Sequence, residues 1–167
     1  IPAQNSKNGI EHTIYISDFV LTQFEELHKI SGTSTWCYPD KSGDSHVSTK
    51  SLTKQYMDRQ KEPNAQLKGR SNNTNALALD RGVWKSHDLR RTGATMMAML
   101  GVLPDIIDRC LNHKQTDKIK ATYQLYSYEA EKIEAWTALG KRLEVLASNR
   151  NMPGWRQSAR RSLIEWR

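Results

Sequence analysis

Apolar residues fall into helical register in five stretches of this chain and into alternating register in one. Val20, Phe24, Leu27 and Ile30 recur at intervals of three or four until Gly32, with Ser17 or Asp18 available as a cap. That spacing predicts a helix whose apolar residues, Phe24 included, belong to the core. From Ser48 the pattern is weaker, with Leu52 and Tyr56 facing inward and Lys50, Lys54, Arg59 and Lys61 outward. A third helix is predicted behind Ser86 as its cap; Leu89, Met96, Met97 and Leu100 form a broad apolar side, and Gly101 ends it as a C′ residue. Pro104 suits the first turn of a fourth, PDIIDRCLNH, which buries Ile107, Cys110 and Leu111 and stops at His113. The fifth is long, with Ile133, Trp136, Leu139, Leu143 and Leu146 on one face. Asn8-Gly9, followed by Ile10, His12, Ile14 and Ile16 alternating with Glu11, Thr13 and Tyr15, predicts a β-hairpin. The expected fold class is α+β, predominantly helical, with a small antiparallel hairpin at its edge.

Between these stretches the chain is polar. TSTWCYPD reads as a short strand or extended loop, DKSGDSHVS as a surface turn, and Glu62 to Val83 as a long connection without periodicity, in which only charge points Lys68 and Arg70 toward DNA. Residues 1–146 read as one domain and 147–167 as a basic tail. Arg150, Arg156, Arg160, Arg161 and Arg167, with Trp155 and Trp166 among them, leave that tail open to three readings: a DNA-contacting helix, a partner-docking helix or a disordered end.

Lys and Arg number 25 against 18 Asp and Glu, for a formal charge of +7, which favours an anionic partner such as nucleic acid over plain solubility. No apolar run is long enough for a membrane span and no signal peptide is evident, so a cytoplasmic protein is expected. Cys37 and Cys110 lack metal-ligand spacing and read as reduced structural thiols; neither a metal nor a cofactor is called for.

The chemistry-bearing residues lie between His87 and Tyr123. His87 and Arg90, three apart on a helix, share a face. Then come Leu111-Asn112-His113 and, ten residues beyond His113, Tyr123. This order, with the phrases HDLRRTGAT, LNH and KIKATYQ, resembles the catalytic domain of tyrosine recombinases, the phage integrases, and among them those carried by prophages and genomic islands. The resemblance covers most of residues 6–146. It implies an integrase-like core and cleavage and rejoining of DNA through a 3′-phosphotyrosine. It also implies double-stranded attachment sites as substrate, a tetramer on DNA, accessory DNA-bending proteins as possible partners, and a nucleoid-associated place in a bacterial host. It further makes Lys7, before the hairpin turn, catalytic, since the family carries a lysine on such a hairpin. The expectation is that Lys7, His87, Arg90, His113 and Tyr123 converge on one anion-sized pocket.

That set suits phosphodiester cleavage without a metal. A tyrosine hydroxyl, with a pKa of about 10, needs a nearby base and cations to attack phosphorus, and His87 and His113 fit that place. Arg90 can give two parallel hydrogen bonds to the non-bridging oxygens, where the transition state gathers charge. Lys7 is suited to protonate the leaving 5′ oxygen, and His113 to hold a phosphate oxygen. Of three tyrosines, Tyr123, Tyr126 and Tyr128, the family interval favours Tyr123. One departure stands out: the family has an arginine on a helix before the lysine hairpin, and no arginine precedes Lys7. A chain that begins at Ile1 without that arginine is therefore read as a piece of a longer protein, poorly active by itself. Two other readings use the same residues. A type IB topoisomerase or telomere resolvase shares the chemistry, and a non-catalytic helical DNA-binding module would use His87, Arg90 and His113 only to grip phosphates.

Overall fold

The computed structural model describes residues 1–65, 75–113 and 126–149. Among these are five α-helices: α1 (Asp18–Ser31), α2 (Thr49–Asp58), α3 (Ser86–Met99), α4 (Pro104–Cys110) and α5 (Glu129–Asn149). The predominantly helical fold expected from the periodicities is what forms. The chain divides into two compact units, Ile1–Gln23 with the described residues from Ala94 onward, and Phe24–Gly93.

The first unit holds the hydrophobic core. Met97 from the last turn of α3, Ile106, Ile107 and Cys110 from α4, and Ala135 and Leu139 from α5 bury against one another, with Met96, Leu111, Tyr128, Trp136 and Leu143 packed around them. Burying a side chain such as Leu139 is worth about 1.5–3 kcal/mol, so these few residues supply most of the drive that holds α4 on α5. Burial pushes the Cys110 thiol up to about 11 despite nearby Lys132, as expected of an inert structural cysteine. Two identical helix ends shape this unit. At Gly101 (φ 84°) the N–H groups of Gly101 and Val102 return to the carbonyls of Ala98 and Met97. At Asn112 (φ 54°) those of Asn112 and His113 return to Arg109 and Asp108. Both are Schellman caps, and they end α3 and α4 within a turn of the residues the periodicity marked. Pro104 takes the first turn of α4 as predicted.

The N-terminal segment departs from expectation. Its described residues form no pair of strands about Asn8-Gly9. Ala3–Asn5 is a single 3-10 turn, a second turn follows through Gly9 (φ 71°), and Ile1 and His12 exchange both backbone hydrogen bonds, at 2.7 and 2.9 Å. Only this one residue pair closes the loop; the tight hairpin turn of an Asn-Gly pair needs a positive φ at both residues, and Gly9 has it while Asn8 does not. The alternating isoleucines Ile10, Ile14 and Ile16 remain exposed. Ser17 sits at the N-cap position of α1, its carbonyl accepting from Leu21, yet its buried hydroxyl caps nothing. It lies instead against Gly140 of α5, where any larger residue would collide with it.

The second unit is built differently: among its described residues the buried ones are polar, Asp58 and Gln60. Here the core expected of α1 is corrected. No residue of α1 is buried; Phe24 is 48 % and Ile30 84 % exposed. The 3.6-residue repeat identifies the apolar face of a helix and carries no information on whether another element covers it. Similarly, Leu52 of α2 is exposed and Tyr56 only half-buried. Ser48 caps α2 through the Ser51 N–H. The turn expected after Tyr38 forms around Asp40, whose carboxylate accepts from the Ser42 hydroxyl and the N–H groups of Ser42 and Gly43.

Candidate functional site

The start of α3 presents His87 and Arg90. Both side chains are exposed, and their spacing on a formed helix puts them on one face. Ser86 is the first helical residue and not the expected cap. The cap is supplied by Asp88, whose carboxylate accepts from the Lys85 N–H at 2.9 Å and reaches Arg91 at 3.4 Å. The segment leading into α3 is held from below. The Gln60 side chain accepts from the Trp84 N–H at 2.8 Å and donates to the Trp84 carbonyl at 3.0 Å. The indole of Trp84 donates to Leu77 and stacks on Tyr56 at 5.1 Å. Tyr56 in turn accepts from the Ser86 N–H at 3.3 Å, and its contacts with the Ser86 side chain and then the Ser86 backbone hold its phenol below the usual tyrosine range. The two helix-borne candidates thus sit on a braced helix start.

Lys7 and His113 are set in the other unit, on segments that bond one another. Asn112, in the left-handed conformation that asparagine tolerates, receives two hydrogen bonds from the Asn8 amide, at its carbonyl (2.9 Å) and its side-chain oxygen (3.0 Å). Its own amide donates to the Ser6 hydroxyl at 3.0 Å, and Ser6 donates to Asn8 at 2.7 Å. Ser6 and Asn8 flank Lys7, which is exposed. A further bond joins the His12 ring to the Cys110 carbonyl at 3.2 Å. His113 is tied to Asp108 twice, by its backbone N–H at 2.9 Å and by its ring Nδ1 at 2.7 Å. An ionised carboxylate can only accept, so Nδ1 carries the proton and Nε2 is the ring atom left to meet a ligand.

Tyr123 lies outside the described residues, as do Lys68, Arg70 and the basic tail from Arg150. The two competing tyrosines are described, and the ring of each packs against a neighbour. Tyr128 is half-buried beside the core; its ring lies under Arg109 at 4.3 Å, and its carbonyl opens α5 from a left-handed backbone (φ 55°). Tyr126 packs edge-on against Tyr128 at 4.8 Å, and the Glu131 carboxylate, chiefly through its charge, holds the Tyr126 phenol above its usual value.

Asn8, Asp108 and Gln60 are not marked by the sequence as parts of this arrangement, and Asn112 is marked only as the middle residue of the LNH phrase. Asn112 carried one usable signal: an asparagine in the last turn of a predicted helix is a candidate left-handed cap, and the helix ends before it, at Cys110. Among the described residues, no group of three or more His, Cys, Asp and Glu is arranged to hold a metal ion. No helix of the described residues is long and apolar enough to cross a membrane. No protein-family model, curated protein or solved structure matches the chain.

Proposed function

We propose that this chain is the catalytic domain of a tyrosine recombinase, with an integrase-like core, that breaks and rejoins duplex DNA through a 3′-phosphotyrosine. In this reading Tyr123 attacks phosphorus, His87 takes its proton, and Arg90 and His113 hold the non-bridging oxygens where charge accumulates. Lys7 protonates the 5′ oxygen as it leaves. The phosphotyrosine conserves the bond energy, so a second 5′ hydroxyl can reverse the step on another strand; that reversal is recombination, carried out by a tetramer on paired attachment sites.

One observation carries the reading. The resemblance assigns Lys7 and His113 to one site although they stand far apart in the sequence, and the residues beside them, Asn8 and Asn112, 104 apart, are hydrogen-bonded. The braced start of α3 that presents His87 with Arg90 supports it further. The test is to incubate full-length protein with nicked duplex carrying its attachment site, in the presence of a chelator. The expected result is a denaturation-resistant protein–DNA adduct. Tight DNA binding with no adduct on any strand would leave the residues as phosphate grips and the reading wrong.

A further inference from the structure

We infer that Asn112 is a positioning residue, tying the turn that carries Lys7 to the helix end that carries His113 so that the lysine ammonium meets the leaving oxygen where His113 holds the phosphate. The inference rests on the recombinase reading above and adds to it a residue that acts through another.

The argument starts from the backbone. Asn112 occupies the C′ position of α4 at φ 54°, a place glycine fills without steric cost and a residue with a Cβ fills less readily. Gly101 does fill the equivalent position after α3, with the same pair of return hydrogen bonds. What the side chain adds at Asn112 is the set of bonds to Ser6 and Asn8. These hold the backbone on both sides of Lys7, and Asn8 also accepts from the Ile10 N–H at 3.0 Å, closing the turn beyond. A lysine side chain has many rotamers, so fixing the backbone that bears it is the available way to limit where its ammonium travels. In the cleavage step the Tyr123 oxygen forms a bond to phosphorus as its proton passes to His87. The bond from phosphorus to the 5′ oxygen breaks with its electron pair on oxygen, and the Lys7 ammonium supplies the proton; nothing is oxidised or reduced.

Asn112→Gly is the discriminating variant, because it keeps the left-handed cap and the bond from Asn8 to the carbonyl of residue 112 and removes only the side-chain bonds to Ser6 and Asn8. Asn8→Ala removes the bonds to Asn112 from the other side, together with those that Asn8 accepts from Ser6 and Ile10, and leaves the Asn112–Ser6 bond. Single-turnover cleavage is measured beside DNA affinity, on an ordinary substrate and on one whose leaving 5′ oxygen is replaced by sulfur, a leaving group that needs no proton. Both variants are expected to bind DNA as the unsubstituted protein does. They should cleave the oxygen substrate about tenfold or more slower, within the 10²- to 10⁴-fold that a general acid contributes. They should be rescued by the sulfur substrate, and in combination with Lys7→Ala they should lose little beyond what Lys7→Ala loses. Ordinary cleavage of the oxygen substrate by Asn112→Gly, or equal slowing on both substrates, overturns the role. Absence of an adduct from the unsubstituted protein overturns the recombinase reading and this role with it. The tether itself is then still decided by nuclear Overhauser contacts between the Asn8 and Asn112 side-chain amides, whose absence refutes it.

Discussion

Gly140 is the position where a single added methyl group should do most to the packing of the first unit. A Cβ built there would stand 2.6 Å from the Ser17 Cβ and closer still to its hydroxyl oxygen, while the Phe19 Cβ at 3.9 Å is an ordinary contact. Carbon atoms pack best at about 3.5–4.0 Å, so α5 and the start of α1 must separate by roughly an ångström to admit alanine. Forcing a methyl group into a packed site costs about 1–3 kcal/mol. Against this, replacing glycine by alanine within a helix gains about 0.8–1 kcal/mol. The net expectation for Gly140→Ala is a loss of up to about 2 kcal/mol, a Tm lowered by about 2–4 °C for each kcal/mol in a chain of this size. The cycle with Ser17→Gly isolates the collision. The Ser17 hydroxyl is buried without a partner, so its removal forfeits no hydrogen bond. In the Ser17→Gly background Gly140→Ala should become neutral or stabilising, for a coupling of about 1–3 kcal/mol. Denaturant or thermal unfolding of the four proteins measures it. A Gly140→Ala protein more stable than the parent, with no coupling to Ser17, would refute the packing described for Ser17 against α5.

Asp108→Ala should slow DNA cleavage by up to about fivefold with affinity unchanged, since it removes an exposed charge-assisted bond worth no more than about 1 kcal/mol that orients the His113 ring; single-turnover rates check it. Native protein treated with a thiol reagent should be modified quickly at exposed Cys37 and slowly at buried Cys110, a difference that mass spectrometry reads and unfolding abolishes. The Asp40 turn should hold its ordered form above the ordinary carboxylate value of 3.8 and lose it as pH falls through the lowered folded value, because the Ser42 hydroxyl and the Gly43 and Ser42 N–H groups favour the charged form. Asp40→Asn should remove that acid transition, seen in the amide resonances of Ser42 and Gly43.

The helices were legible in the sequence because each announces itself locally. Pro104 and Gly101 mark ends by fixed backbone preferences, and Ile107, Cys110 and Leu139 repeat with the helical period and are buried. The candidate pair on α3 was legible for the same reason, being a spacing along one helix. Illegible features depend on partners distant in the chain. Whether Phe24 and Ile30 are covered is decided by what lies opposite them, and nothing in their spacing encodes that. The Asn8-Gly9 signal correctly marks a turn, but the choice between a strand ladder and a loop docked by Asn8 on Asn112 is made by side-chain bonds spanning 104 residues. Gln60 is similar: a polar residue at the end of an amphipathic pattern reads as surface, and its burial follows from pairing both amide groups with the Trp84 backbone.

The central claim is that a tyrosine of this chain, Tyr123, becomes joined to DNA. The most direct measurement is to trap full-length protein on a nicked substrate, digest the adduct, and identify by mass spectrometry the tyrosine that carries the nucleotide, with Tyr123→Phe run in parallel. The account predicts phosphodiester-linked Tyr123 in the parent, and in Tyr123→Phe unchanged DNA affinity with no adduct. A nucleotide found on Tyr126 or Tyr128, or an adduct that survives Tyr123→Phe, would contradict it.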